Sequence, residues 1–328
     1  YKIRVTAEGR NWFIVWLPWE KDGQAESRVY WLDTQVPGPV GTIHVPVPNP
    51  GKVNRPVWSW TAADPGAGAP IVSYNVELST DGSSWQAAAP PSVGAPVVAW
   101  SPNYDLSDGQ YWIRVKAVDG SGYQSASWAV AGSPYQLDAT KPVIDAGTWD
   151  PSNDSWIGTN TYTVKVNITD PMGEGGSYKS GVKQSTLSAS ISPGATIGSR
   201  SWSGDTVSIP ISNLANGTEY TLTVNVQDNA GNGAEEKQLK FKVDLLGPTF
   251  TEAFPADGFE TNEKSIRPYI KISDAESGVD PDSIAWTMTD PGSSAVSGES
   301  TWDDVDLSTF IPGTVANPVD LSKNGYYS

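Results

Sequence analysis

Apolar and polar residues alternate strictly in three segments, which begin at Tyr1, Tyr111 and Tyr220 and read YKIRVTAEG, YWIRVKAVDGSG and YTLTVNVQDNAG. Side chains of a β-strand point alternately to its two faces, so each segment predicts a strand with one apolar and one mostly polar face. The segments start 110 and 109 residues apart. A repeat of this length predicts consecutive β-sandwich domains that bury the apolar faces of their strands.

The rest of the chain shows the same period. We find no window of ten or more residues with apolar positions at helical spacing, whereas alternation recurs throughout. Thr, Ser, Val, Tyr and Trp fit pleated surfaces, and 32 glycines and 26 prolines supply turns. The sequence therefore predicts an all-β protein of tandem sandwich domains arranged as a rod. Because it starts inside a strand pattern, we expect it to be a segment of a longer polypeptide.

A second repeat marks the predicted domain junctions. Asp33, Asp138 and Asp244 lie 105 and 106 residues apart, and each is followed four residues later by a proline. Proline cannot donate to a sheet and stiffens the chain, so these segments predict short, semi-rigid linkers. The predicted domains are residues 1–39, 40–138, 139–244 and 245–328, of which the first and last are partial.

Tyr111 and Tyr220 each follow a turn that contains glycine, in LSDGQY and LANGTEY. This arrangement resembles the tyrosine corner of β-sandwiches, in which the phenol hydrogen-bonds back to the preceding turn. We expect both tyrosines to fix the crossing between the two sheets in this way.

The composition of the chain excludes several classes of partner and of functional site. A formal net charge of −16 argues against nucleic acid or an anionic membrane surface as a partner, because phosphate binding requires concentrated positive charge. The chain has no cysteine, which excludes disulfides and Cys-ligated metals, and it has no apolar run long enough to span a bilayer. His44 is the only histidine and lies in no triad pattern, so we expect no catalytic residues and no enzymatic activity.

Residues 40–138 resemble a fibronectin type III domain. The segment PVWSWTAADPGAGAPIVSYNVELSTDGSSW resembles strands B and C of that fold. The resemblance implies that Trp60 is the core tryptophan and that Tyr74, Val76 and Leu78 face it from the other sheet.

Residues 139–244 resemble the immunoglobulin-like repeats of bacterial surface proteins. The resemblance rests on YTVKVNITD, which ends at Asp170, on the tripeptide SGV, and on DNAGN, which begins at Asp228. Residues 245–328 resemble a partial repeat of the same type through RPYIKISDAESGVDPDSI, and residues 1–39 resemble the last strands of a preceding repeat. The resemblance implies an extracellular, cell-surface protein whose domains serve as spacers and binding modules.

Acidic loops near the junctions predict a calcium site, since calcium takes several oxygen ligands and tolerates irregular geometry. We expect Asp138 or Asp244 to approach the DNAGN loop or the DAESGVD loop, where a bound ion would stiffen the joint. Asx turns explain the same residues without a metal, and both interpretations stay open. The candidate ligands are Asp138, Asp228, Asp244, Asp274, Glu276 and Asp280.

The 15 tryptophans raise the question of carbohydrate binding, because exposed indoles stack on sugar rings. We favour packing between domains or subunits over sugar for those outside the core. The tryptophans expected to face outward or lie in loops are Trp12, Trp16, Trp19, Trp85, Trp112 and Trp128.

Together these patterns favour a non-catalytic structural or adhesive segment of an extracellular surface protein, such as a filament, an S-layer or an adhesin. Such a segment extends and makes domain–domain or subunit contacts, and its expected partners are neighbouring copies of itself or other surface proteins. The alternative is a set of accessory spacer or carbohydrate-binding modules of an extracellular carbohydrate-active enzyme, with polysaccharide as the partner.

Overall fold

The described part of the chain is built from β-strands and their connections. The computed structural model describes residues 4–7, 10–14, 29–31, 33–254, 256–260, 265–266, 269–280, 283, 285–289, 295–299 and 319–320. These residues include no α-helix, and thus none long and apolar enough to cross a membrane. The all-β prediction is confirmed.

Internal contacts divide the chain into two compact units. Unit 1 comprises Tyr1–Ile144, Ile168–Ser188 and Val224–Glu236. Unit 2 comprises Asp145–Asn167, Ala189–Thr223 and Lys237–Ser328. The finer division into four domains, and their arrangement as a rod, stay predictions.

Unit 1 begins with a three-stranded antiparallel sheet. Its strands are β1 (Arg4–Ala7), β2 (Arg10–Ile14) and β3 (Val29–Trp31), with β2 in the centre. Strand β1 belongs to the first alternating segment, as predicted. Trp16 and Trp19 lie outside the described residues.

The first sandwich, also in unit 1, pairs a three-stranded sheet with a five-stranded one. The strands are β4 (Ile43–His44), β5 (Trp58–Trp60), β6 (Ile71–Ser79), β7 (Gln86–Gly94), β8 (Ala99–Trp100), β9 (Gly109–Asp119), β10 (Ala129–Val130) and β11 (Tyr135–Leu137). One sheet has the order β4-β5-β8, and the other has the order β10-β9-β6-β7 with β11 also paired to β9. Their pairings are antiparallel.

Strand β9 shows how the alternating pattern builds this core. Tyr111, Ile113, Val115 and Ala117 are all buried, while the residues between them are half-buried. The strand therefore directs one apolar row inward, and that row provides much of the hydrophobic stabilisation of the sandwich.

Tryptophans fill the remaining core of the first sandwich. Trp60 is buried with its ring centroid 5.5 Å from that of Tyr74, which confirms its predicted position. Trp58 and Trp100 are also buried, with ring centroids 5.5 Å apart, and Tyr135 packs edge-on against Trp58. The core thus contains more aromatic residues than the resemblance implied.

The second sandwich has nine strands, of which β12, β14, β15 and β19 contribute residues to both units. The strands are β12 (Val143–Asp150), β13 (Ser155–Ile157), β14 (Thr161–Thr169), β15 (Val182–Ser192), β16 (Thr196–Ile197), β17 (Ser201–Ser203), β18 (Thr206–Ser212), β19 (Thr218–Asp228) and β20 (Lys237–Val243). One sheet has the order β12-β14-β18-β16 with β17 paired to β18, and the other has the order β13-β20-β19-β15.

Alternation again selects the buried residues of the second sandwich. In β14 from Val164 onward and in β19 from Tyr220 onward, every second side chain is buried, as alternation predicts. These residues are Val164, Val166 and Ile168 in β14, and Tyr220, Leu222, Val224 and Val226 in β19.

In the remainder of unit 2, the described residues form three antiparallel strand pairs. The strands are β21 (Thr249–Phe254), β22 (Ser265–Ile266), β23 (Tyr269–Ser273), β24 (Ala285–Thr289), β25 (Ala295–Glu299) and β26 (Val319–Asp320). Strand β21 pairs with β23, β22 with β26 and β24 with β25.

Two junction aspartates continue parallel backbone pairings. In unit 1 the N–H of Asp138 donates to the carbonyl of Gly51 at 2.9 Å, next to the parallel bridge between Gly51 and Leu137. In unit 2 the N–H of Asp244 donates to the carbonyl of Ile157 at 3.0 Å, where β13 runs parallel to β20. Each of these two junctions therefore starts from a strand end held by backbone hydrogen bonds.

Both predicted tyrosine corners are confirmed. The hydroxyl of Tyr111 donates to the carbonyl of Ser107 at 2.7 Å. The hydroxyl of Tyr220 accepts from the N–H of Ala215 at 3.0 Å. Each phenol thereby ties a core strand to the turn that precedes it.

Tyr220→Phe is expected to destabilise the second sandwich by about 1 kcal/mol, because the N–H of Ala215 loses its acceptor at a site where Tyr220 is buried. Urea unfolding followed by tryptophan fluorescence measures the change. The control is Tyr123→Phe, whose side chain is exposed and whose substitution should leave the unfolding midpoint unchanged. An equal loss in both variants would contradict the tyrosine-corner interpretation.

Candidate metal centre

The three junction aspartates make the same pair of backbone hydrogen bonds. In each case Oδ1 accepts from the N–H two residues further on, and Oδ2 accepts from the N–H of a later loop. The Oδ1 donors are Gln35, Thr140 and Leu246 at 2.9, 3.1 and 3.0 Å, and the Oδ2 donors are Ala69, Ser180 and Ser277 at 2.7, 2.6 and 3.1 Å. These bonds give each junction aspartate a structural role that requires no metal.

Hydrogen bonding to the charged carboxylate lowers two of the junction pKa values. The N–H groups of Gln35 and Ala69 lower the pKa of Asp33. The hydroxyl of Ser277 and the N–H of Leu246 lower the pKa of Asp244. Both carboxylates are therefore stable as anions.

Within unit 1 the structure brings together Asp138, Asp170 and Asp228. Their carboxylate oxygens lie within 4.8 Å of one another, and all three residues are buried. Asp228 continues the inward row of β19, and Asp170 continues the inward row of β14 one residue beyond its end. Period-two alternation thus directs both carboxylates toward the core side.

Backbone and amide donors hold these carboxylates in place. The N–H of Gly181 donates to Oδ2 of Asp170 at 2.6 Å. The N–H of Asn232 donates to Oδ1 of Asp228 at 2.8 Å, and its Nδ2 donates to Oδ2 of Asp228 at 2.7 Å and to the carbonyl of Asp138 at 2.8 Å. Oδ1 of Asp170 is buried and has no hydrogen-bond partner.

Asp170 differs from the junction aspartates in the direction of its pKa shift. Burial raises its pKa to about 6, and the charges of Asp138 and Asp228 act in the same direction. The N–H of Gly181 and the charge of Lys179 oppose this shift without cancelling it.

A second group lies within unit 2 and comprises Asp244, Asp274 and Glu276. It is less buried, since Asp274 and Glu276 are half-exposed. Oδ1 of Asp274 accepts from the N–H of Glu276 at 3.1 Å, and Oε1 of Glu276 accepts from Nδ2 of Asn216 at 3.0 Å. Asp280 lies outside this group, and its carbonyl accepts from Ser283.

The structure thus places five of the six candidate ligands in two groups and adds Asp170, which the sequence analysis named within a motif but not as a ligand. Two signals point to it. Asp170 shares the inward parity of Ile168, and it lies 106 residues after Asp64 and 104 before Asp274, close to the spacing of the junction aspartates. Calcium itself stays a prediction at both groups.

Tryptophans on the outer face of the first sandwich stack against cations. The guanidinium of Arg114 lies 4.7 Å from the ring centroid of Trp85 and 4.6 Å from that of Trp128, with Lys116 5.2 Å from Trp128. Nε of Arg114 also donates to Glu77 at 2.6 Å. These two indoles and Trp112 are half-buried. Packing of these tryptophans against a neighbouring domain or subunit stays the prediction, with polysaccharide binding as the alternative.

Comparison with known families bears out the second sandwich. Residues 138–243 match the family model described as the bacterial Ig-like domain. A search of curated proteins found no match. Together with the sheets described above, the match supports an immunoglobulin-like fold for residues 138–243 of this all-β chain.

Several solved structures are similar over long stretches but at low identity. The FN1–FN3 domains of chicken CNTN1 are 12% identical with a TM-score of 0.28, and the match covers 84% of this chain and 88% of that one. Fibronectin(III)-like modules of Clostridium thermocellum CbhA are 13% identical, with a TM-score of 0.28 and coverage of 62% and 94%. A tetra-tandem repeat from the extending region of a large adhesion protein is 18% identical, with a TM-score of 0.28 and coverage of 92% and 71%. Such values carry no information on function.

In EDTA, the stability of the protein is expected to rise as the pH falls from 7.5 to 5. The pKa of Asp170 is about 6 in the folded chain against an ordinary value of 3.8, so the folded state binds the proton more tightly. Its contribution to stability is therefore complete below about pH 4 and is lost as the pH rises through 6. The expected gain from this one group is about 1 kcal/mol at pH 5.

Urea unfolding in EDTA at both pH values measures this gain, and Asp170→Asn isolates it from the other carboxylates. The variant should show a pH dependence smaller by that amount. An identical pH dependence in the two proteins would show that Asp170 titrates normally.

Proposed function

We propose that this chain is a non-catalytic structural or adhesive segment of an extracellular surface protein, such as a filament, an S-layer or an adhesin. Its repeats extend the polypeptide, and their joints resist bending. The proposal is carried by one observation, the hydrogen bonding between the first sandwich and the repeat that follows it in unit 1.

Three separate segments of the following repeat contact the first sandwich. Oδ1 of Asp108 accepts from the linker N–H of Ala139 at 2.8 Å, and its carbonyl accepts from Ser177 in the loop after β14 at 2.8 Å. Nζ of Lys52 donates to the carbonyl of Gly231 in the DNAGN loop at 2.9 Å. Contacts at three separate places restrain rotation about a linker more strongly than the linker alone could.

The linker supports the same interpretation. Pro142 lies four residues after Asp138 and is buried, so its ring packs against the protein as well as restricting the backbone. Asp108 is buried as well, which removes its hydrogen bonds from competition with water. A stiff joint of this kind suits a repeat whose role is to hold neighbouring domains in a fixed relation.

The net charge and the matched family also support the proposed function. A net charge of −16 keeps the segment soluble and disfavours nucleic acid, and the matched family is described as bacterial and Ig-like. The proposed partners are neighbouring copies of the chain or other surface proteins, reached through exposed strand edges and side chains.

Because the chain has no cysteine, two introduced cysteines can carry spin labels without background. Thr80→Cys in the first sandwich and Lys183→Cys in β15 are both exposed and lie on either side of the joint within unit 1. The expected result of electron–electron double resonance is one narrow distance distribution, because the joint is hydrogen-bonded at three places.

The matched control is the pair Thr80→Cys and Ser127→Cys, in which both exposed labels belong to the first sandwich. Its distribution gives the width that the labels alone produce. A distribution across the joint that is several times broader, or has several maxima, would contradict the proposal.

A further inference from the structure

We infer that Asp138, Asp170 and Asp228 hold a calcium ion in unit 1. Their oxygens lie within 4.8 Å of one another, and the three residues are 0%, 4% and 0% exposed. They come from three places in the chain: the residue after β11, the residue after β14 and the last residue of β19. The fold therefore builds this group from segments that are distant in sequence.

Charge is the first argument for a cation. Three buried carboxylates at this separation repel one another and lose hydration, and a buried charge is tolerated only when it is paired or coordinates a metal. Lys179 is near enough to favour the charged form of Asp170 but is an exposed residue. An ion bound among the oxygens would compensate the three charges directly.

The second argument is the unpartnered oxygen of Asp170. Oδ2 accepts the N–H of Gly181, whereas Oδ1 is buried and has no hydrogen-bond partner. A buried acceptor without a partner is costly, and more so when it is charged. A cation positioned among the three carboxylates would satisfy this oxygen.

The chemistry of the ligand atoms favours calcium over other metals. All the candidate side-chain ligands are carboxylate oxygens, which hard cations prefer, while zinc and copper favour nitrogen and sulfur. Calcium accepts six to eight oxygens in irregular geometry, whereas magnesium demands a near-ideal octahedron and retains its waters. Three carboxylates fixed by the protein suit calcium better.

The surrounding hydrogen bonds prepare the ligands for an ion. Consecutive N–H groups of Ser180 and Gly181 fix Asp138 and Asp170, and Asn232 fixes Asp228. These donors leave further lone pairs on the carboxylate oxygens free for coordination. Little rearrangement is therefore needed on binding, which favours affinity.

The group in unit 2 carries no such inference. The carboxylate of Asp244 accepts from Leu246 and Ser277, and Asp274 and Glu276 are half-exposed, so water and protein donors are available to these oxygens. This group serves as an internal comparison for the site in unit 1.

The inference does not depend on the proposed function, because an ion site and a stiff joint are measured separately. Thermal unfolding of the whole chain is compared in EDTA, in about 5 mM calcium and in the same concentration of magnesium. Calcium is expected to raise the melting temperature of the second sandwich by roughly 10 °C, and magnesium by much less. Calorimetric titration with calcium gives the number of ions bound.

Asp170→Asn distinguishes ligand loss from unfolding. The amide retains an oxygen to accept from Gly181 but removes a buried charge, so in EDTA the variant should melt at or above the wild-type temperature. In calcium it should show no gain and bind one ion fewer. If it does not fold, Asp228→Asn provides the same test.

Two further substitutions serve as matched controls. Asp205→Asn changes an exposed aspartate in a turn, and Asp274→Asn changes the group in unit 2. Both are expected to keep the calcium-induced rise of the second sandwich. The inference is overturned if wild type binds no calcium, if magnesium gives an equal rise, or if Asp170→Asn retains the full rise.

Discussion

The constraint on which this structure depends is the fixed alternation of side chains along each strand. In β9, β14 and β19 it supplies the buried rows of the two sandwiches, and the same parity carries Asp119, Asp170 and Asp228 inward at or just beyond the strand ends. The apolar core and the buried aspartates therefore both result from the alternation of side chains along the strands. The inward row of apolar side chains that stabilises each sandwich therefore ends in a buried aspartate.

The electrostatic environment of each buried carboxylate depends on the hydrogen-bond donors and charged groups in the loop beside it. Oδ1 of Asp119 accepts from the N–H groups of Ser121 and Tyr123, so the turn itself satisfies it. Asp170 has one backbone donor and two facing carboxylates. Asp119 and Asp170 thus have different electrostatic environments, although each continues the inward row of its own strand.

Much of the fold could be predicted from the sequence, because alternation and repeat spacing are properties of single strands. Trp60 and the two tyrosine corners followed from the same patterns. Trp100 did not, since it belongs to a two-residue strand that is too short to show a period. Asp170 was missed for a different reason: its parity was visible, but its proximity to Asp138 depends on how distant segments pack.

The surroundings of the outward tryptophans also could not be predicted from the sequence, because they depend on contacts between distant segments. Glu77 and Arg114 are cross-strand partners in β6 and β9, and the two indoles that contact the guanidinium come from loops. Spacing along the chain gives no information on such a register. The guanidinium that contacts both indoles occupies part of a surface that the sequence alone presents as open aromatic area.

The parallel pairing of β13 with β20 has a mechanical consequence. The chain enters this sheet at the start of β13 and leaves it at the end of β20, directly before Asp244. Tension along the polypeptide therefore pulls the two strands from opposite ends and loads their hydrogen bonds together in shear. An antiparallel pair loaded at adjacent ends would open one bond at a time, so the parallel pairing makes this connection between β13 and β20 more resistant to stretching than such a pair would be.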